Sequence, residues 1–120
     1  MALVPWTMGL APRAATRRVL LGAAPDRALA TLLAETLSTV PSATIGARLE
    51  LLAALDLEVS LSVPVLAIEA RHDWLVPRSV TRALAADLRA PLVTIDGPHL
   101  VLQRSPAAVA SAIETFLESH

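Results

Sequence analysis

Two short apolar runs, each ending in a polar turn, constrain this chain more than any other feature. The first, Val63 to Ile68, reads V-P-V-L-A-I and leads into E-A-R-H-D-W-L-V-P. The second, Leu92 to Ile95, follows Pro91 and leads into D-G-P-H. Apolar runs without alternation suit strands covered on both faces, and such strands belong to parallel sheets flanked by helices. Pro64 fits the start of a strand and not its middle. Between the runs, Pro77 closes the first turn and Ser79 suits an N-cap. Val80, Ala83, Leu84 and Leu88 then form the buried face of a helix. Strand, helix, strand over roughly thirty residues is a βαβ unit, with parallel strands and a right-handed crossover.

That topology positions two side chains. Parallel strands end on the same side of their sheet, and ligands bind outside those ends. Asp73 follows the first strand and His99 the second, so residues 26 positions apart are brought to one rim. A carboxylate beside a neutral imidazole is the general-base half of a nucleophilic hydrolase. Asp73 would accept the Nδ1–H of His99, fix its tautomer, and stabilise the imidazolium formed when Nε2 takes a proton. Taken singly, Asp73 also fits a turn or capping residue, and His99 a plain loop residue.

The rest of the chain reads as helices. Pro12 suits the first turn of a helix running to about Leu21, where Gly22 stops it. Asp26 suits an N-cap. Leu29, Leu32, Leu33 and Leu37 form an apolar stripe after it. Pro41 breaks that helix, and Ser42 can cap the next, with Ile45, Leu49, Leu52 and Leu55 on one face. These helices fit a layer that packs on something else, or a plain bundle. Leu57 to Ser62 alternates and fits a short strand or a linker. Ser105-Pro106 opens a last helix, whose stripe is Val109, Ala112, Ile113, Phe116 and Leu117.

From Val63 onward the chain resembles the C-terminal part of an α/β-hydrolase. The matching residues are the strand V-P-V-L-A-I, Asp73 with L-V-P after it, L-V-T-I-D-G-P-H ending at His99, and Ser105-Pro106 opening the terminal helix. The resemblance implies that Asp73 is the acid and His99 the base of a catalytic triad. It implies a small-molecule carboxylic ester as substrate, as in serine esterases and lipase-like enzymes. It also implies a division into a cap or lid-like helical region, 1–61, and a C-terminal part of the hydrolase core, 62–120. The chain departs from the family at Ala70, where Gly is frequent before the acid, and at Pro98, where G-x-G-H is frequent. It departs again in lacking the G-x-S-x-G nucleophile elbow. None of its eight serines, Ser38, Ser42, Ser60, Ser62, Ser79, Ser105, Ser111 and Ser119, is flanked by glycines two residues either side. The expectation is a C-terminal portion of a longer enzyme, inactive alone. An Asp nucleophile, as in epoxide hydrolases and haloalkane dehalogenases, would leave acid and histidine looking the same. The alternative is a non-catalytic interaction module that keeps the fold's tail.

Composition narrows the partners. The chain is 54 % hydrophobic with mean hydropathy +0.57, an apolar excess for a 120-residue chain that suggests a covered surface. A two-stranded sheet leaves open edges, through which a complementing chain or a second copy could add. Net charge is −1, which gives no reason to expect nucleic acid. All 10 basic residues are Arg. Arg13, Arg17 and Arg18 cluster, as a solvated helix face does. Cysteine is absent, so thiolate metal sites and disulfides are excluded. His72, Asp73 and His120 lack ligand spacing, so no metal is expected. There is no Gly-rich phosphate loop, and no cofactor is expected. His72 reads as an exposed loop residue and Trp74 as a packing residue at the pocket mouth. No uncharged apolar run approaches the ~18 residues of a membrane span, and no basic segment precedes the apolar start. The reading is a soluble, cytoplasmic chain.

Overall fold

The computed structural model describes residues 13–55, 58 and 60–120. Over the described residues the chain is mixed α/β, 58 % helical, with a two-stranded parallel sheet. In order it forms α1 (Arg13–Leu21), α2 (Arg27–Ser38), α3 (Ser42–Ala54), β1 (Ala67–Ala70), α4 (Arg78–Asp87), β2 (Leu92–Ile95), α5 (Val101–Arg104) and α6 (Pro106–Glu118). The expectation at Pro12 lies outside the described residues.

Local chemistry accounts for most boundaries. Gly22 ends α1 with φ +74°, its N–H donating to Arg18 O at 2.9 Å. Only glycine takes that left-handed conformation without a Cβ penalty. Asp26 caps α2, accepting from the Ala28 N–H at 3.3 Å. α2 and α3 meet at 91° across the break that Pro41 enforces. Pro106 takes the first turn of α6. Neither Ser42 nor Ser79, expected as caps, makes a side-chain cap, and nor does Ser105, which stands at the N-cap of α6. Pro41 and Pro77 hold the N-cap positions of α3 and α4, which puts Ser42 and Ser79 inside the helices. Ser105 Oγ donates to Asp96 O at 3.1 Å and so ties α6 to the histidine turn.

The βαβ unit forms with the register Ala67↔Leu92 to Ala70↔Ile95. The first strand is shorter and later than the apolar run suggests. Its partner begins only after Pro91, whose carbonyl accepts from Ala67 N at 3.0 Å, so residues 63–66 have no strand partner among the described residues. Of residues 57–62, the described ones lie in no helix or strand. One element was not expected, the single turn of α5 between His99 and α6.

The core is small. Leu20, Leu21, Ala70, Ala85, Ile95 and Val109 are its buried apolar residues. α4 packs on β1 and α6 on β2. The inward face of α4 differs from the one expected: Ala85 is buried, while Ala83 is exposed and Leu84 is 52 % exposed. α6 buries Val109 but leaves Ile113 and Leu117 exposed. The end of α1 is stitched to the histidine turn across the expected 1–61/62–120 division, through Leu100 N to Leu20 O at 2.9 Å. No single helix among the described residues is long and apolar enough to cross a membrane.

Candidate active site

Backbone bonds carry the sheet past its last paired residues and draw the two turns together. Arg71 N donates to Ile95 O at 2.8 Å and His72 N to Gly97 O at 3.0 Å. Asp73 and His99 follow one and two residues later in their turns.

The two oxygens of Asp73 have separate tasks. Oδ1 accepts from the backbone N–H of Leu75 at 2.8 Å and of Val76 at 2.9 Å. This is a side-chain-closed turn, and it fixes the carboxylate's orientation. Oδ2 lies 2.9 Å from His99 Nδ1. Asp73 thus fills its local turn role and meets the imidazole as well. The side chains of Asp73 and His99 are 13 % and 27 % exposed, so the bond is shielded while the ring keeps an open edge. His99 Nε2 makes no hydrogen bond to another described residue.

The histidine turn is held from below. Pro98 is buried, and the position a Cβ would take on Gly22 lies 3.4 Å from its Cβ and Cγ. A Cβ on Gly97 would stand 3.0 Å from Val101 Cγ2, a tight contact that the Val101 side chain would have to relieve where the chain turns into α5. The departure at Pro98 therefore packs against the end of α1 and leaves the histidine within reach of its acid.

Beside the pair lies a cavity of about 210 Å³, lined by Glu69, Asp73, Arg78, Thr81, His99 and Val101 among others. No serine lines it. A larger cleft of about 470 Å³ opens among α1, α2 and α3, and neither Asp73 nor His99 borders it. The smaller cavity is where a reacting group would have to sit, because a base acts within about 3 Å of the proton it takes.

Glu69 escaped the sequence reading. It is 3 % exposed and is the one buried charge among the described residues. Its Oε1 accepts from Arg78 Nη2 at 2.7 Å, Arg78 Nε at 3.1 Å, Arg82 Nη2 at 3.2 Å and Thr94 Oγ1 at 2.8 Å. The bonds from Arg78 hold its carboxyl far down, at about 2; burial pushes the other way, and Arg82 and Thr94 add to the lowering. Arg78 is raised in turn by its bond to Glu69. Oε2 is buried with no partner among the described residues. A readable signal existed: a Glu inside an apolar strand, with Arg residues one turn apart at the start of the following helix.

The other candidates lie apart from the pair. His72 is exposed and meets Asp96 Oδ1 at 3.1 Å, beside Arg71 at 3.4 Å. Trp74 is 78 % exposed, which corrects its reading as a packing residue. His120 stacks on Phe116, ring centroids 4.4 Å apart, one turn along α6. Among the described residues no three His, Asp or Glu side chains gather as metal ligands.

No family model, curated protein or solved structure matches the chain.

Proposed function

We propose that this chain supplies the acid and the base of an α/β-hydrolase-type triad, with Asp73 as acid and His99 as base, acting on a carboxylic ester. The observation that carries this reading is the 2.9 Å contact between Asp73 Oδ2 and His99 Nδ1, made while Oδ1 is anchored by two backbone amides. An anchored carboxylate on Nδ1 keeps that nitrogen protonated and leaves Nε2 free to accept a proton. The cavity beside the ring supports the same reading. The nucleophile comes from a further segment of the polypeptide or from a complementing chain, because no described serine lines that cavity. An Asp nucleophile is served by the same pair.

The test begins with the coding DNA upstream of Met1, read for an in-frame G-x-S-x-G or an Asp elbow. The joined polypeptide is then assayed on p-nitrophenyl acetate. The reading expects His99→Ala to abolish turnover and Asp73→Asn to lower kcat by up to about 10⁴-fold. It expects the 120-residue chain alone to show no His99-dependent hydrolysis. Turnover by the joined protein that survives His99→Ala contradicts it.

One observation favours a second reading, a non-catalytic interaction module. Leu51, Leu52, Leu55, Leu61 and Val63 are each about half or more exposed, apolar side chains near the end of α3 and before β1 that lack cover from the described residues. A coding sequence with no upstream elbow and its own start signals favours that reading.

A further inference from the structure

We propose that Glu69 is a positioning residue for the Asp73–His99 pair, clamping both ends of the acid turn to the strand that leads into the histidine turn. The proposal rests on the reading of that pair given above. Glu69 is in β1, immediately before the turn, and Arg78 is the first residue of α4, immediately after it. Asp73 lies on the stretch between them. Thr94 is the cross-strand partner of Glu69 in β2, five residues before His99. One oxygen, Glu69 Oε1, bonds all three places at once, at 2.7 Å to Arg78, 2.8 Å to Thr94 and 3.2 Å to Arg82.

Two features separate this from ordinary packing. Buried ion pairs are weak sources of stability compared with apolar side chains of the same volume, so a charge held there needs another reason. And the cluster leaves Oε2 buried without a partner among the described residues, which an arrangement optimised for stability alone would avoid. What the cluster does supply is direction. It fixes where the acid turn leaves the sheet, where it rejoins α4, and how both stand relative to the strand that carries the histidine. A displacement of about 1 Å is enough to lose the alignment of acid and base.

The test is nuclear magnetic resonance of the full chain with nitrogen-15 histidine. It reads the His99 tautomer and the hydrogen exchange of the Leu75 and Val76 amides. Wild type should show the Nδ1–H form and protected amides. Glu69→Gln should shift the ring toward Nε2–H and speed both amides about tenfold or more, relative to a Val109→Ala variant matched to it in urea midpoint. Val109 is buried in α6 and makes none of the hydrogen bonds of the Glu69 cluster or of the Asp73–His99 pair, so loss of stability alone should leave the tautomer where it was. Should Glu69→Gln not fold, Arg78→Gln carries the test, since the carboxylate keeps Arg82 and Thr94. A wild-type tautomer and protected amides in the variant overturn the positioning role and leave the pair standing. A wild-type chain already in the Nε2–H form overturns both. A joined protein without esterase activity whose Glu69→Gln variant shifts the ring removes only the assignment of function.

Discussion

Asp73 Oδ2 and His99 Nδ1 meet at 2.9 Å although the residues lie 26 positions apart. The contact depends on parallel strands in register, Ala70 opposite Ile95, and on two backbone bonds beyond the strand ends. It also depends on Asp73 giving its other oxygen to its own turn.

The first prediction separates those two tasks. Asp73→Asn keeps an oxygen for the Leu75 and Val76 amides and loses the charge facing the imidazole. Asp73→Ala loses both. The Ala variant should cost about 2 kcal/mol or more of stability and the Asn variant about 1 kcal/mol, read as urea midpoints at pH 7. Equal losses would mean that the turn bonds carry no weight.

Glu69 predicts an acid limb. Its carboxyl is held at about 2 in the folded chain against 4.5 ordinarily, chiefly by Arg78. A folded value below the unfolded one means the folded state binds fewer protons. The contribution is therefore complete above about 4.5, shrinks as pH falls, and is gone below about 2. The stability difference between wild type and Glu69→Gln, followed by urea unfolding from pH 6 to pH 2, should narrow across that window. A gap that stays constant contradicts the assignment.

Gly22 tests the joint between the helices and the histidine turn. An alanine there takes φ +74° with a Cβ in contact with Pro98. The left-handed conformation alone should cost about 1–2 kcal/mol, visible as a lower thermal midpoint. Because Leu100 N bonds Leu20 O next to this site, exchange of the Leu100 amide should quicken too.

Arg89 offers the opposite sign. It ends α4 at φ 52°, its N–H reaching Ala86 O at 3.0 Å and that of Ala90 reaching Ala85 O at 2.8 Å. This is the helix-ending motif in which glycine is favoured. Arg89→Gly should raise stability by about 1 kcal/mol in thermal unfolding. No change would mean that the side chain makes a compensating contact.

What the sequence revealed and what it concealed divide along physical lines. Strong local signals were legible: Gly22 ending α1, Asp26 capping α2, Pro106 opening α6, and the apolar runs forming parallel strands. The convergence of Asp73 and His99 was legible because parallel topology alone brings strand ends together. The extent of β1 was not, because it depends on where β2 begins, and Pro91 sets that. The face of α4 was not, because hydrophobic spacing points to Leu84, whereas the face turned to the sheet is the one whose Arg78 and Arg82 bond Glu69 and whose Ala85 is buried, leaving Leu84 to solvent. Glu69 itself stands just past the apolar run Val63–Ile68, where the sequence suggests a polar turn and not a strand. A buried charge declares itself only when its partners, nine, thirteen and twenty-five residues on, are seen to converge. Ile113 and Leu117 continue the α6 stripe as expected, but no described element covers them.

The most direct measurement is the tautomer of His99, read from its ring nitrogens by nuclear magnetic resonance at neutral pH in wild type and in Asp73→Asn. The account predicts a ring protonated at Nδ1 in wild type and moved toward Nε2 protonation once the carboxylate is gone. A ring in the Nε2–H form in wild type, unmoved by Asp73→Asn, would contradict it.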